Sequence, residues 1–188
     1  MGKLIYGMNV SLDGYVDTRE HGLEWTGIDD ELHRWWNDQV RSMDAFLYGR
    51  RVYELMNAYW PTAESDPTMT ETELDFARIW NARPKIVFSS TLEGVTGNAR
   101  LVRGDVADEL ARLRTEFDGD LGVAGPTLAS AFIRRGLVDE YRPVVHPVVL
   151  GGGTPFFPDL QTPIRLRQTE SHRFASGAMY VGYGPTDG

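Results

Sequence analysis

The sequence predicts a three-layer α/β domain with a mostly parallel central sheet and an antiparallel C-terminal edge. Two observations carry this. Short β-prone runs alternate with amphipathic helical stretches for most of the chain, and the last two β-prone runs follow one another through a tight turn. A third observation bounds it: 188 residues suffice for one sizeable core, and no repeat or linker divides them, so 1–188 reads as a single domain.

The elements follow in order. Lys3 to Ser11 is apolar and β-prone and stops at the Asp13-Gly14 turn. After a polar loop, Asp29 and Asp30 supply acidic residues for a helix start, and Leu32, Trp35, Trp36, Val40 and Met43 recur at helical spacing. Ala45 to Tyr48 is a short buried strand ending at Gly49, and Arg50 to Tyr59 is a helix stopped near Pro61. Ser65 to Met69 is a loop, Glu71 to Asn81 a helix, Lys85 to Phe88 a strand, and Ala99 to Val102 a weaker one. Asp105 caps an amphipathic helix that ends at Gly119. Leu121 to Ala124 is a strand that runs into Gly125-Pro126-Thr127, where proline suits the first turn of a helix reaching Arg135. Glu140 to Leu150 is β-prone and precedes the triplet Gly151-Gly152-Gly153, and Ile164 to Arg173 and Ala178 to Tyr183 form the closing pair.

Composition excludes several function classes. Hydrophobic residues make up 41% of the chain and aromatics 11%, which is globular rather than disordered. The chain has no cysteine, so disulfides, iron–sulfur clusters, thiolate nucleophiles and cysteine-bearing zinc motifs are out. His21 and His172 lack neighbours at ligand spacing, His146 reads as a structural histidine, and no metal site is expected. A net charge of −8 argues against nucleic acid. No apolar run reaches the roughly 20 residues of a membrane helix, and no signal peptide is read, so the expectation is a cytoplasmic protein with no membrane partner. Lys3 and Lys85 are the only lysines, and every other cation is arginine, which suits bidentate phosphate binding.

In open α/β sheets ligands bind beyond the carboxyl ends of the strands. Three strands here end in small or polar residues before a helix or loop: Tyr48-Gly49-Arg50-Arg51, Phe88-Ser89-Ser90-Thr91 and Val123-Ala124-Gly125-Pro126-Thr127. Glycine admits a phosphate to the backbone, helix N-termini offer free N–H groups, and arginine or serine adds donors. Each segment taken alone also reads as an ordinary turn; three together suit a dinucleotide. The G-x-G-x-x-G fingerprint is absent, which argues against a standard Rossmann dehydrogenase.

These segments resemble the dihydrofolate reductase-like superfamily, and within it the C-terminal reductase domains of riboflavin biosynthesis (RibD). Ser11-Leu12-Asp13-Gly14 is similar to their S-x-D-G segment, and Gly49-Arg50-Arg51-Val52-Tyr53-Glu54 to G-R-x-T-x-E, with Val52 where threonine is common. Ala124-Gly125-Pro126-Thr127-Leu128 is similar to the same region of these domains, with Ala124-Gly125 where the family has paired glycines, and Pro147 to Gly153 matches P-x-x-L-G-x-G.

The resemblance implies a dihydrofolate reductase-like fold and an NADPH site. Gly49, Arg50 and Arg51 would meet cofactor phosphates. Ser89, Ser90 and Thr91 would lie near the adenosine ribose and its 2′-phosphate. Gly125, Pro126, Thr127 and Leu128 would hold the pyrophosphate, and backbone at Met8, Asn9 and Val10 would border the nicotinamide. Asp13 is the candidate substrate contact, or simply a turn residue. Folate reductases place an acid in the first helix, where His33 aligns here; Asp29, Asp30 and Glu31, one turn earlier, read as dipole-compensating residues.

The expected activity is therefore NADPH-dependent reduction of a small pyrimidine- or pterin-like heterocycle, similar to 5-amino-6-(5-phosphoribosylamino)uracil reductase. A true dihydrofolate reductase and a non-catalytic NADPH-binding module are the alternatives. Family members often pair as homodimers, and Trp60, Phe156 and Phe157 are candidate interface aromatics, or core.

Overall fold

A computed structural model describes residues 2–186. Eight strands form one sheet: β1 (Leu4–Ser11), β2 (Met43–Gly49), β3 (Lys85–Phe88), β4 (Ala99–Val102), β5 (Asp120–Ala124), β6 (Glu140–His146), β7 (Leu166–Arg173) and β8 (Met179–Pro185). Their spatial order is β4-β3-β2-β5-β1-β6-β8-β7. All neighbours from β4 to β6 pair in parallel, and β8 runs against both β6 and β7. The helices are α1 (Asp30–Arg41), α2 (Arg50–Tyr59), α3 (Glu71–Ala82), α4 (Val106–Glu116) and α5 (Pro126–Ile133).

Alternation along the strands explains the three layers. Leu4 and Tyr6 of β1, Ala45 and Leu47 of β2, and Leu121 and Val123 of β5 face one way, into a core closed by Leu110 and Leu113 of α4 and Phe132 and Ile133 of α5. Ile5, Phe46, Tyr48 and Val87 face the other way, against Tyr53 of α2 and Ile79 and Trp80 of α3. Leu32, Trp35 and Trp36 of α1 extend that second layer over Val144 of β6 and Tyr180 of β8. Phe156 is core, stacked 4.3 Å from Tyr6, whereas Phe157 is half exposed.

Two boundaries differ from the periodic reading. The apolar stripe that includes Met43 stops being helical at Arg41, and Met43 instead opens β2 with its side chain buried. Spacing of three and four cannot separate the end of a helical stripe from the first inward residue of the next strand. β6 ends at His146, where the chain turns and the Val148 N–H bonds back to the His146 carbonyl at 2.8 Å. Asp29 caps α1 through its carboxylate, which accepts the Leu32 N–H at 2.8 Å, and Asp105 caps α4 through the Ala107 N–H at 2.9 Å.

Candidate active site

One cleft of about 930 Å³ opens at the carboxyl ends of β1, β2, β3 and β5 and runs back between α1, α2 and the sheet. That volume lies in the upper range of small-molecule and cofactor sites. At one end, consecutive residues from three strand-to-helix or strand-to-loop junctions line it: Gly49 to Val52, Phe88 to Ser90, and Ala124 to Leu128. At the other end the walls are single side chains from separate elements, among them Ile5, His33, Trp36, Leu55, Trp60 and Phe76.

The junction end is a backbone surface. Neither Gly49 before α2 nor Gly125 before α5 caps its helix through a side chain, so the first-turn N–H groups of both helices face the opening. The two glycines serve differently. Gly125 has φ +93°, and a Cβ there would stand 2.6 Å from Val52 Cγ2, so both conformation and space demand glycine. Gly49 is extended at φ −77°, and an added Cβ would meet only Leu128 Cβ at 3.7 Å; its bareness leaves the approach to the helix open. The peptide between Ala124 and Gly125 is trans.

The cations at this end are held in place. Arg50 donates to Glu54 Oε1 at 2.9 Å and to Thr91 Oγ1 at 3.2 Å, tying α2 to the loop after β3. Ser89 Oγ accepts the backbone N–H groups of Thr91 and Leu92, which shapes that loop. Arg103, beyond β4, clamps the same loop by donating to the carbonyls of Ser89, Ser90 and Leu92. Arg51 reaches Asp17 Oδ2 at 3.3 Å and the His21 carbonyl at 3.3 Å. Burial opposes ionisation of Asp17, but donation from Thr154 and the nearby His21 outweighs it and holds the carboxyl below its ordinary range. His21 is the one non-glycine with positive φ among the described residues, a strained conformation fixed by these contacts.

The ring-shaped end is apolar and aromatic. Leu23, Ile28 and Leu55, which are exposed, border it. Where α1 meets the cleft, burial lowers the pKa of the His33 imidazole against the opposing pull of Glu73, Asp30 and Asp75. The acids one turn earlier are engaged elsewhere: Asp29 caps the helix, Asp30 accepts from Arg34 and Thr72, and Glu31 accepts the Ala175 N–H at 3.0 Å.

Of the residues the sequence singled out, Gly49, Arg50, Arg51, Ser89, Ser90, Gly125, Pro126, Thr127 and Leu128 line this one cleft, together with Met8 and Asn9. Thr91 stands just behind, holding Arg50. Val10 is buried and faces the opposite core. Asp13 lies outside the lining. Its carboxylate accepts from Ser11 Oγ at 2.7 Å and from the backbone N–H groups of Leu150 and Gly151, so it pins the glycine triplet to the end of β1. Sequence reasoning passed over Asp17 and Arg103 as contributors, and gave Trp36 only a core role.

The fold is dihydrofolate reductase-like. It superimposes on a putative riboflavin biosynthesis protein from Shewanella sp. PV-4 with a TM-score of 0.76, at 20% identity over 98% of this chain and 99% of that one. It also superimposes on a dihydrofolate reductase from Enterococcus faecalis complexed with NADP(H), with a TM-score of 0.67 at 14% identity, covering 99% and 98%. At such identities the likeness is one of fold. The family profile of the RibD C-terminal domain matches residues 2–180, and the chain belongs to that family. Among its relatives is YyaP of Bacillus subtilis strain 168, an uncharacterized protein 31% identical over 96% of this chain and 94% of that one.

Proposed function

We propose that this protein is an NADPH-dependent oxidoreductase that reduces a small pyrimidine- or pterin-like heterocycle, with chemistry similar to that of 5-amino-6-(5-phosphoribosylamino)uracil reductase. The supporting observation is the convergence of the junctions at residues 49–52, 88–90 and 124–128 on one cleft that continues into an aromatic pocket. The residues present fit the cofactor: two uncapped helix N-termini and the bare backbone at Gly125 form an anion cradle that a side chain would fill. Gly49, Arg50 and Arg51 with Gly125 to Leu128 would hold the phosphates of the dinucleotide, and Ser89, Ser90 and Thr91 the ribose end. When bound, the cofactor supplies a hydride.

The chain's own part is to bind, orient and exclude water. Leu23, Ile28 and Leu55 border the cleft, and Trp36, Trp60 and Phe76 would offer their rings to a flat substrate. No carboxylate of α1 is among the residues lining the cleft, which weighs against a true dihydrofolate reductase, since a protonated pterin needs an anionic partner.

Fluorescence titration with NADPH and NADH, followed by absorbance assays of NADPH oxidation with pyrimidines, pterins and dihydrofolate, tests the reading. We expect binding that favours NADPH and turnover with one heterocycle class. Tight NADPH binding without oxidation of any acceptor would make the protein a binding module instead, and absence of binding would remove the cofactor assignment.

A further inference from the structure

Ile5, Gly7 and Asn9 of β1 lie on the face of the sheet that floors the ring-shaped end of the cleft. A Cβ on Gly7 would come within 3.3 Å of the Trp36 ring, so this bare position lets the indole settle directly on the strand. From there Trp36 Nε1 donates to Asn9 Oδ1 at 3.2 Å, and His146 Nε2 lies 3.0 Å from the same oxygen. An indole N–H can only donate, so chemistry settles which end of the Asn9 amide is oxygen. His146 must then donate as well, which fixes its proton on Nε2. Burial lowers the pKa of His146, opposed by the charge of Asp29, consistent with a neutral ring in that one tautomer. The edge of Trp25 packs against the imidazole at 5.5 Å between ring centroids.

With both donors on Oδ1, the amide nitrogen of Asn9 is aimed by its neighbours and has no partner among the described residues. It is not among the sealed polar atoms either: those left buried without a partner are Trp25 Nε1, Asn37 Oδ1, Arg83 Nε and Arg114 Nε. Nδ2 therefore opens to the cleft that Asn9 lines. The other charged groups on the lining are already matched: Glu54 with Arg50, Asp17 with Arg51, and Arg142 with Glu140 and Gln39.

We propose that the Asn9 carboxamide is the specificity-determining donor of the substrate pocket, presenting its Nδ2 hydrogens to a carbonyl oxygen of a neutral flat heterocycle, with Trp36 and His146 as positioning residues. The proposal rests on the reductase reading and names the substrate class: rings that show an acceptor edge, as opposed to protonated amidine-type rings that need a carboxylate. Two donors holding one oxygen rule out rotation of the amide, so the pocket cannot offer an acceptor there without a substitution.

Binding of 1,3-dimethyluracil, which carries carbonyl acceptors and no N–H, is compared with that of 2,4-diaminopyrimidine on the NADP⁺-saturated protein by calorimetry. The wild-type protein should prefer dimethyluracil. Asn9→Asp keeps an oxygen for Trp36 and His146 but turns the cleft-facing donor into an anionic acceptor. It should weaken dimethyluracil by at least about tenfold and strengthen diaminopyrimidine. His146→Phe should raise KM for the ring substrate with little change in NADPH binding, and His146→Gln, which restores an N–H donor, should recover it. Unchanged ring ranking in Asn9→Asp, or a wild-type preference for diaminopyrimidine, overturns the proposal while NADPH binding stands. A wild-type protein that fails to bind the dinucleotide removes the reductase reading as well.

Discussion

The junction end of the cleft is made of consecutive residues at 49–52, 88–90 and 124–128, whereas the ring-shaped end draws single side chains from elements scattered between Ile5 and Phe76. The first presents backbone N–H groups and fixed arginines; the second presents aromatic faces, a half-buried histidine and one aimed amide. The contrast follows from the ligands each end would take. Phosphates are alike from one dinucleotide to another, and backbone geometry recognises them well. Substrate rings differ, and side chains can be exchanged without disturbing the fold.

That contrast can be broken from either side. The largest effect is expected from Gly125→Ala: the new Cβ would stand 2.6 Å from Val52 in a backbone conformation L-residues avoid. Stability should fall by about 1–3 kcal/mol in chemical denaturation, and NADPH binding should vanish from fluorescence titrations. Arg50→Ala comes next. It should weaken NADPH by roughly 10- to 100-fold, the scale of a lost charge-assisted hydrogen bond, and flatten the salt dependence of binding. Gly49→Ala sharpens the comparison, because its Cβ meets nothing closer than 3.7 Å. Stability should change by less than about 1 kcal/mol while NADPH affinity falls several-fold. Equal damage to fold and binding at Gly49 would erase the distinction drawn between the two glycines.

Within the ring-shaped end, His33→Asp supplies the cleft-lining carboxylate that α1 does not offer. Relative turnover should move toward pterins bearing a protonatable edge, with NADPH affinity unaltered; a parallel change in both would mean that the two ends are not separable.

The smallest effect concerns pH. Asp17 and Asp13 have pKa values held below the unfolded range, chiefly by hydrogen bonding that for Asp17 overcomes burial. A lowered carboxyl pKa contributes stability that is present above the unfolded value, about 3.9, and is lost as pH falls through the folded one. The rim formed by residues 13–22 and 150–154 should therefore loosen only below about pH 4. Hydrogen exchange at Gly151 and Thr154 would show this, and Asp17→Asn should remove part of the acid dependence.

The same contrast governs how much could be read from the chain. Strands, helices and the junction residues were legible because each depends on neighbours in sequence, such as a β-prone run, a glycine and then a helix start. The substrate wall was not. Trp36 and Val40 recur at helical spacing whether they face a core or a cleft, and periodicity is blind to the difference. Asp13 drew notice through its turn with Gly14, while Asp17 sits in an unpatterned loop and meets Arg51 only through tertiary folding. Arg103 follows the weakest strand and contacts a loop more than ten residues away, so nothing local marks it.

The rims of the sheet carry a consequence for self-association. β7 shows solvent a row of exposed side chains that includes Arg167, Glu170, His172 and Arg173, and β4 at the opposite margin is only four residues long. Charge at one border and brevity at the other discourage a second polypeptide from annealing onto either.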